Sequence, residues 1–275
     1  MTQARINQPY EQFKHIKVEK KDRIAVVTLN NPDNRNAITM DGGHVELEQV
    51  WTLLAEDTEV SAIVLTGAGK TFSAGGDVKG MATRARTVEG LQYTLKVPAQ
   101  TKRLLQNILD VPQPIITAVN GDAVGLGATL ALFGDISVIA ETAKFGDTHV
   151  KVGLVAGDGG TVIWPLLIGP SQAKDFLMRG LIITGTEARD RNLINYAVPT
   201  EEVLPRAMAI AAELVELPAV AVRWTKLSIN MLLKERINSI LDASIAYEML
   251  SMNTVDHGEA AKAFLEKRKP VYKGY

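Results

Sequence analysis

Four short aliphatic runs constrain the fold of this chain more than any other feature: Ile24–Leu29, Ala62–Thr66, Ile115–Val119 and Ile136–Ala140. Each is rich in Val and Ile and ends at turn residues, which is the pattern of a strand. They are apolar on both faces, so the sheet they build must be covered on both sides. Helical patterns lie between them. Thr39–Ala55 carries Val45, Leu47, Val50, Trp51 and Leu54 at helical spacing. Val88–Leu109 is a second helix, which Pro98 is expected to break or kink. Strands alternating with helices argue for an α/β fold. From about residue 170 the pattern turns helical, in Ser171–Arg179, Val203–Leu217, Ala219–Leu233 and Ile237–Asn253, with Pro218 separating two of them. No strand-rich stretch follows Ala197–Val198. With 275 residues, 46% of them hydrophobic, the chain can bury such a core.

Charge narrows the function. Lys plus Arg is 30 and Asp plus Glu is 31, a net charge of −1. No global field draws nucleic acid or an anionic membrane, so an anionic ligand must meet a local cluster of cations. The longest apolar runs are strand-sized, well short of a membrane span. The polar N-terminus lacks the apolar segment of a secretory signal, and a cytoplasmic location is expected. There is no cysteine, which excludes disulfides, thiol catalysis and zinc–thiolate sites.

Two glycine-rich turns leave strand ends. The first is Thr66-Gly-Ala-Gly-Lys-Thr-Phe-Ser-Ala-Gly-Gly-Asp77, and the second is Ala118-Val-Asn-Gly-Asp-Ala-Val-Gly-Leu-Gly127. Glycine lets backbone approach a ligand closely. The second turn enters a helix expected at Ala128–Phe133, whose first N–H groups are unpaired and lie at the positive end of its dipole. Two such donors aimed at one oxygen would form an oxyanion hole. Either turn alone is equally read as ordinary. Neither carries a nucleotide fingerprint: Gly67-Ala-Gly-Lys lacks the Walker spacing, and Gly125-Leu-Gly127 lacks a third glycine.

Together these turns resemble those of the crotonase, or enoyl-CoA hydratase/isomerase, superfamily. The matching stretches include Phe72-Ser-Ala-Gly-Gly-Asp77-Val-Lys79, Pro114-Ile-Ile-Thr-Ala-Val-Asn-Gly121, Gly125-Leu-Gly127, Ala143-Lys-Phe-Gly146, Gly157-Asp-Gly-Gly-Thr161 and Ala263-Phe-Leu-Glu-Lys-Arg-Lys269. They keep the family's order over nearly the whole chain. The resemblance implies a spiral of ββα repeats over residues 1–200, holding the site. Over 201–275 it implies C-terminal helices that drive trimer formation and cover the site, with hexamers built from two trimers. It implies an acyl-CoA thioester as substrate, no separate cofactor, and oxyanion donors at the backbone N–H groups of Gly76 and Leu126. Lys70, Lys79 and Lys267 fall where coenzyme A phosphates are met. Ala74, Gly75, Asp77, Gly125, Thr129 and Trp164 are the remaining expected substrate contacts; Trp164, Leu126, Met81 and Met178 are candidates for shaping an apolar pocket, with core packing as the competing reading. Asp77 is also read as a backbone clamp.

The chain departs from the family at two positions. Hydratases of the superfamily add water with two glutamates, and here Thr129 and His149 stand in their places. A threonine hydroxyl is a poor base at neutral pH, so Thr129 would position water or shape the pocket. His149 and Asp158 are the catalytic candidates that remain, because an imidazole oriented by a carboxylate can act as general base near physiological pH. The pair resembles one in superfamily members that cleave a carbon–carbon bond of a β-diketone. The competing reading of Asp158 is a helix N-cap. Asp147 is read as a turn residue, with a pocket residue as the competing reading, and Asp135 as structural. His15, His44 and His257 lack a supporting motif, and no group has convincing metal-ligand spacing. Three functions stay open. One is hydratase- or isomerase-type chemistry with His149 and Asp158 in place of the glutamates. The others are hydrolytic cleavage of a β-oxoacyl-CoA and a silent CoA-binding protein.

Overall fold

The computed structural model describes residues 8–39, 42–78, 80 and 87–275. The chain opens with an antiparallel hairpin, β1 (Ile16–Lys21) and β2 (Ile24–Leu29). Its two-residue turn, Asp22 and Arg23, takes positive φ at both positions, matching the twist of the paired strands. Helix α1 (Gly43–Glu56) follows, burying His44, Leu47, Val50, Trp51 and Leu54.

Three ββα units come next. They are β3 (Ala62–Gly67), β4 (Thr71–Ser73) and α2 (Val88–Asp110); β5 (Ile115–Val119), β6 (Asp122–Val124) and α3 (Leu126–Phe133); and β7 (Ile136–Ala140), β8 (Lys144–Gly146) and α4 (Gly160–Arg179). The first strand of each unit joins a six-stranded sheet ordered β1-β2-β3-β5-β7-β10, and the second joins a four-stranded sheet ordered β4-β6-β8-β9. β9 is Ile183–Thr184 and β10 is Tyr196–Val198, with α5 (Gly185–Asp190) between them. The repeats therefore wind as a spiral, each unit stepping one strand along both sheets. β3 and β5 are buried along their whole length, as their two-sided apolar character requires.

Pro98 does not break α2, which is continuous from Val88 to Asp110. Proline removes one backbone hydrogen bond, but Val97, Thr101, Leu104 and Leu105 are buried around it and hold the helix. The C-terminal region comprises α6 (Val203–Val215), α7 (Ala219–Arg236), α8 (Asp242–Ser251) and α9 (Val255–Leu265). A π-helical turn, Ile237–Leu241, joins α7 directly to α8, so the two helices expected there are a single rod. α6 lies on β3, β5 and β7. Lys226 of α7 reaches under the large sheet, where its Nζ lies 2.7 Å from Asp135 Oδ2 and 2.8 Å from the Gln113 carbonyl. Asp135 Oδ2 also accepts from Ile115 N at 2.6 Å, which is the structural role expected of it. No helix among the described residues is long and apolar enough to cross a membrane.

Candidate active site

The first two ββα turns meet edge to edge. Asn120 pins the first from below: its Oδ1 accepts from Gly67 N at 3.1 Å and its Nδ2 donates to the Gly67 and Gly69 carbonyls at 3.0 Å. Gly75 adopts φ +81°, and a Cβ there would stand 2.5 Å from the Val124 carbonyl oxygen and 3.2 Å from Leu126 N. Only glycine permits that approach. Leu126 opens α3, so its N–H has no partner within the helix and lies at the helix's positive end. Among the described residues, neither Leu126 N–H nor Gly76 N–H donates to a backbone carbonyl. Two free N–H groups are thus carried on adjacent turns.

Beside them lies a buried acid–base cluster. His149 begins a short helical turn, His149–Val152. Its Nδ1 is 2.7 Å from Asp147 Oδ1, and its Nε2 is 3.2 Å from Asp158 Oδ2. Asp147 Oδ1 also accepts from His149 N at 3.1 Å. Thr129 of α3 donates to Asp158 Oδ1 at 3.4 Å. Gly125, at φ +55°, completes the junction: a Cβ there would come within 3.5 Å of His149 Cε1. The residue preceding one candidate donor therefore lies against the imidazole ring.

Burial disfavours a charged His149 ring. The charges and hydrogen bonds of Asp147 and Asp158 outweigh that and raise its pKa well above the ordinary 6.5. The donor atoms of Asp147, His149 and Asp158 all lie within 4.8 Å of one another, close enough to surround a cation. Both ring nitrogens, however, already face carboxylates at hydrogen-bonding distance. A cation at Nε2 would have to displace Asp158.

The sequence profile of the family described as enoyl-CoA hydratase/isomerase matches residues 19–275. The chain belongs to that family. A probable mitochondrial enoyl-CoA hydratase of Dictyostelium discoideum is 33% identical over 269 residues, spanning 96% of this chain and 92% of the relative. A crotonyl-CoA hydratase of Syntrophomonas wolfei is 33% identical over 262 residues, spanning 94% and 97%. An enoyl-CoA hydratase/isomerase of Mycobacterium paratuberculosis superposes with a TM-score of 0.86 at 34% identity, over 92% of this chain and 99% of that one.

Against the family pattern, the structure gathers Gly75, Gly76, Gly125, Leu126, Thr129, His149 and Asp158 into one place. Asp158 does not cap α4; that position belongs to Gly159, and no side chain caps it. Asp147 is more than a turn residue, since it holds the imidazole. This corrects the expectation of an ordinary histidine pKa, because a second carboxylate acts on the ring. Trp164 is a core residue rather than a pocket wall: it is fully buried, with ring centroids 6.1 Å from Phe145 and 5.5 Å from Phe176. Met178 is exposed on α4. Ala74 and Asp77 are half-buried, Ala74 N donating to the Arg35 carbonyl at 2.9 Å. Lys70 is exposed in the turn between β3 and β4. Lys267 is exposed just beyond α9, at φ +53°, rather than within a helix. Lys79 and Met81 lie outside the described residues.

Sequence reasoning passed over two buried groups here. His44 has no partner for either ring nitrogen among the described residues. Burial pushes its pKa down to about 4, against an opposing pull from Asp158 and with a further push from Arg103. Glu248 of α8 is buried with Oε2 unpartnered. Both had a signal in the chain. His44, Leu47 and Trp51 form one helical stripe, as do Leu241, Ser244, Ile245, Glu248 and Met252, and each stripe places an ionisable group at a core position.

Proposed function

We propose that this protein acts on an acyl-CoA thioester, polarising its carbonyl with Gly76 N–H and Leu126 N–H and moving protons through His149 and Asp158. One observation carries the reading: the imidazole, clamped between Asp147 and Asp158, abuts Gly125, the residue that precedes the Leu126 donor. A base and an electrophilic donor are thereby held side by side. The family's hydratase relatives supply the substrate class and the reaction, addition of water to an enoyl-CoA.

The oxyanion hole stabilises the enolate-like oxygen that forms when water attacks Cβ. The water proton passes to the His149–Asp158 pair. Below the raised pKa of His149 the ring already holds its proton, and the accepting atom is a carboxylate oxygen of Asp158. Above it, Nε2 can accept directly. Thr129 fixes the remaining Asp158 oxygen and so orients the carboxylate. Lys70, Lys79 and Lys267 are proposed for the coenzyme A phosphates, as charge-assisted donors.

Loss of absorbance of crotonyl-CoA measures the reaction. Wild type should hydrate it, and His149→Ala and Asp158→Asn should each lose ~10²–10⁴-fold, the usual contribution of a positioned acid–base group. Robust activity surviving both substitutions would exclude the proposed pair. A second reading, hydrolytic cleavage of a β-oxoacyl-CoA, is favoured by the same His149–Asp158 pair, whose carboxylate can take the proton of a water attacking a carbonyl. Carboxylate release from such a thioester would select it. We further propose a homotrimer, or a homohexamer built from two trimers. The exposed Trp224, Ile229, Met231 and Leu232 of α7 offer apolar surface for assembly, and light scattering on the purified protein would report the mass.

A further inference from the structure

We infer that Glu248 is the proton donor of this site, holding a proton at neutral pH and delivering it to the α-carbon of the substrate enolate. The inference rests on the acyl-CoA reading above. It begins from charge. Asp147, Asp158 and the His149 imidazole form a buried cluster, and the buried carboxyl group of Glu248 interacts electrostatically with all three. With all of them ionised, the cluster would confine three negative charges against one positive, which a low-dielectric interior disfavours. One carboxyl group must keep a proton.

Hydrogen bonding selects which one. Asp147 faces Nδ1 and the His149 N–H, and Asp158 faces Nε2 and the Thr129 hydroxyl. Glu248 Oε2 has no such donor among the described residues; Asp147 Oδ2 also lacks one, but its partner oxygen Oδ1 is held by two donors. Burial, the first cause, pushes Glu248 up to about 8, with the charges of Asp158 and Asp147 adding to it and the charge of His149 and the Gly157 backbone N–H opposing.

Position fits the task. Glu248 is packed on the loop that carries Asp158: a Cβ at Gly157 would stand 2.8 Å from Glu248 Oε2 and 2.7 Å from its Cβ. Ser244 Oγ donates to the Gly157 carbonyl at 3.0 Å, and Ser251 Oγ accepts from Val155 N at 3.1 Å. These contacts strap α8 to the loop on both sides of Glu248. The charged groups acting on it are Asp158, His149 and Asp147; the one positive group among these, His149, is already shared between two carboxylates. An unsolvated carboxyl group that keeps its proton at pH 7 is a suitable acid toward an enolate, whose α-carbon needs a proton whether water has added at Cβ or a carbon–carbon bond has broken.

The step balances. The Glu248 O–H bond breaks and a C–H bond forms at the α-carbon. The enolate electron pair makes that bond as the thioester carbonyl re-forms, leaving Glu248 as a carboxylate. The proton taken earlier from water by the His149–Asp158 pair then returns to Glu248, restoring the cluster.

Glu248→Gln separates this role from simple neutral packing, because glutamine mimics the protonated shape but cannot give up a proton. Butyryl-CoA is the probe, since it can exchange its α-hydrogens but has no water to lose. In D2O, nuclear magnetic resonance should show α-hydrogen exchange with wild type. With E248Q the exchange should be at least ~10²-fold slower, while calorimetry shows unchanged butyryl-CoA affinity. Difference infrared spectra at pH 7 should show a protonated-carboxyl band that disappears in E248Q. Exchange by E248Q at the wild-type rate, or no such band, overturns the donor role and leaves the acyl-CoA reading standing. Failure of wild type to bind butyryl-CoA overturns both.

Discussion

Leu126→Pro replaces an N–H that the proposed mechanism requires with an N–CH2 group that cannot donate, and the structure bounds its cost. Leu126 is the first residue of α3, so its N–H contributes no bond to the helix, and proline is well tolerated at that position. The substitution should therefore spare the helix. It does remove a buried apolar side chain, which on its own costs roughly 2–5 kcal/mol when truncated to alanine. Leu126→Ala is the control, because it loses the side chain and keeps the donor. Loss of one oxyanion donor lowers turnover by ~10²–10³, or about 3–4 kcal/mol of transition-state stabilisation. Steady-state kinetics on crotonyl-CoA should thus show L126P slower than L126A by that factor in kcat, with thermal melts showing both folded. Equal kcat in two folded variants would refute the assignment of this N–H.

Other perturbations probe the neighbouring parts. Gly75→Ala forces a Cβ to 2.5 Å from the Val124 carbonyl at φ +81°; backbone strain alone should cost about 1–3 kcal/mol in a denaturant melt, and activity should fall as the two turns are pushed apart. Asp147→Asn removes one of the two charges that raise the His149 pKa, so a ring-carbon resonance titration should find the midpoint lowered; an unmoved midpoint would contradict the clamp. His44 tests stability against pH. Its folded pKa is lowered to about 4 from 6.5, so as pH falls through that window the unfolded chain takes up a proton that the folded one refuses. Stability is lost on acidification by up to about 3 kcal/mol, and His44→Gln should flatten the loss in melts run from pH 7 to 4.

Much of the fold is written plainly in the chain because its strands are apolar on both faces. Ile24–Leu29, Ile115–Val119 and Ile136–Ala140 are strands with the bounds their composition sets. The small sheet was illegible for the opposite reason. β4, β6 and β8 have three residues each, too few to show a period, and each takes its shape from the turn before it. Lys17, Glu19 and Lys21 hide β1 behind an edge-strand pattern, where charge on the exposed face is expected. At the site, the glycine turns and the pair His149 and Asp158 were visible as motifs. Asp147 reads from sequence as a turn residue or a pocket residue, and it is both. Here it closes the turn and also holds the ring, through one oxygen. Trp164 misleads instead, a large aromatic near a catalytic segment that simply fills the core between Phe145 and Phe176.

The central claim is that two backbone N–H groups polarise a thioester carbonyl beside the His149 cluster. The infrared stretch of a carbonyl-13C-labelled butyryl-CoA bound to the protein measures that polarisation directly. The account predicts a band shifted to lower frequency than in free butyryl-CoA, with the shift reduced in Leu126→Pro and retained in Leu126→Ala. A bound thioester whose carbonyl band stays at its solution frequency would contradict it.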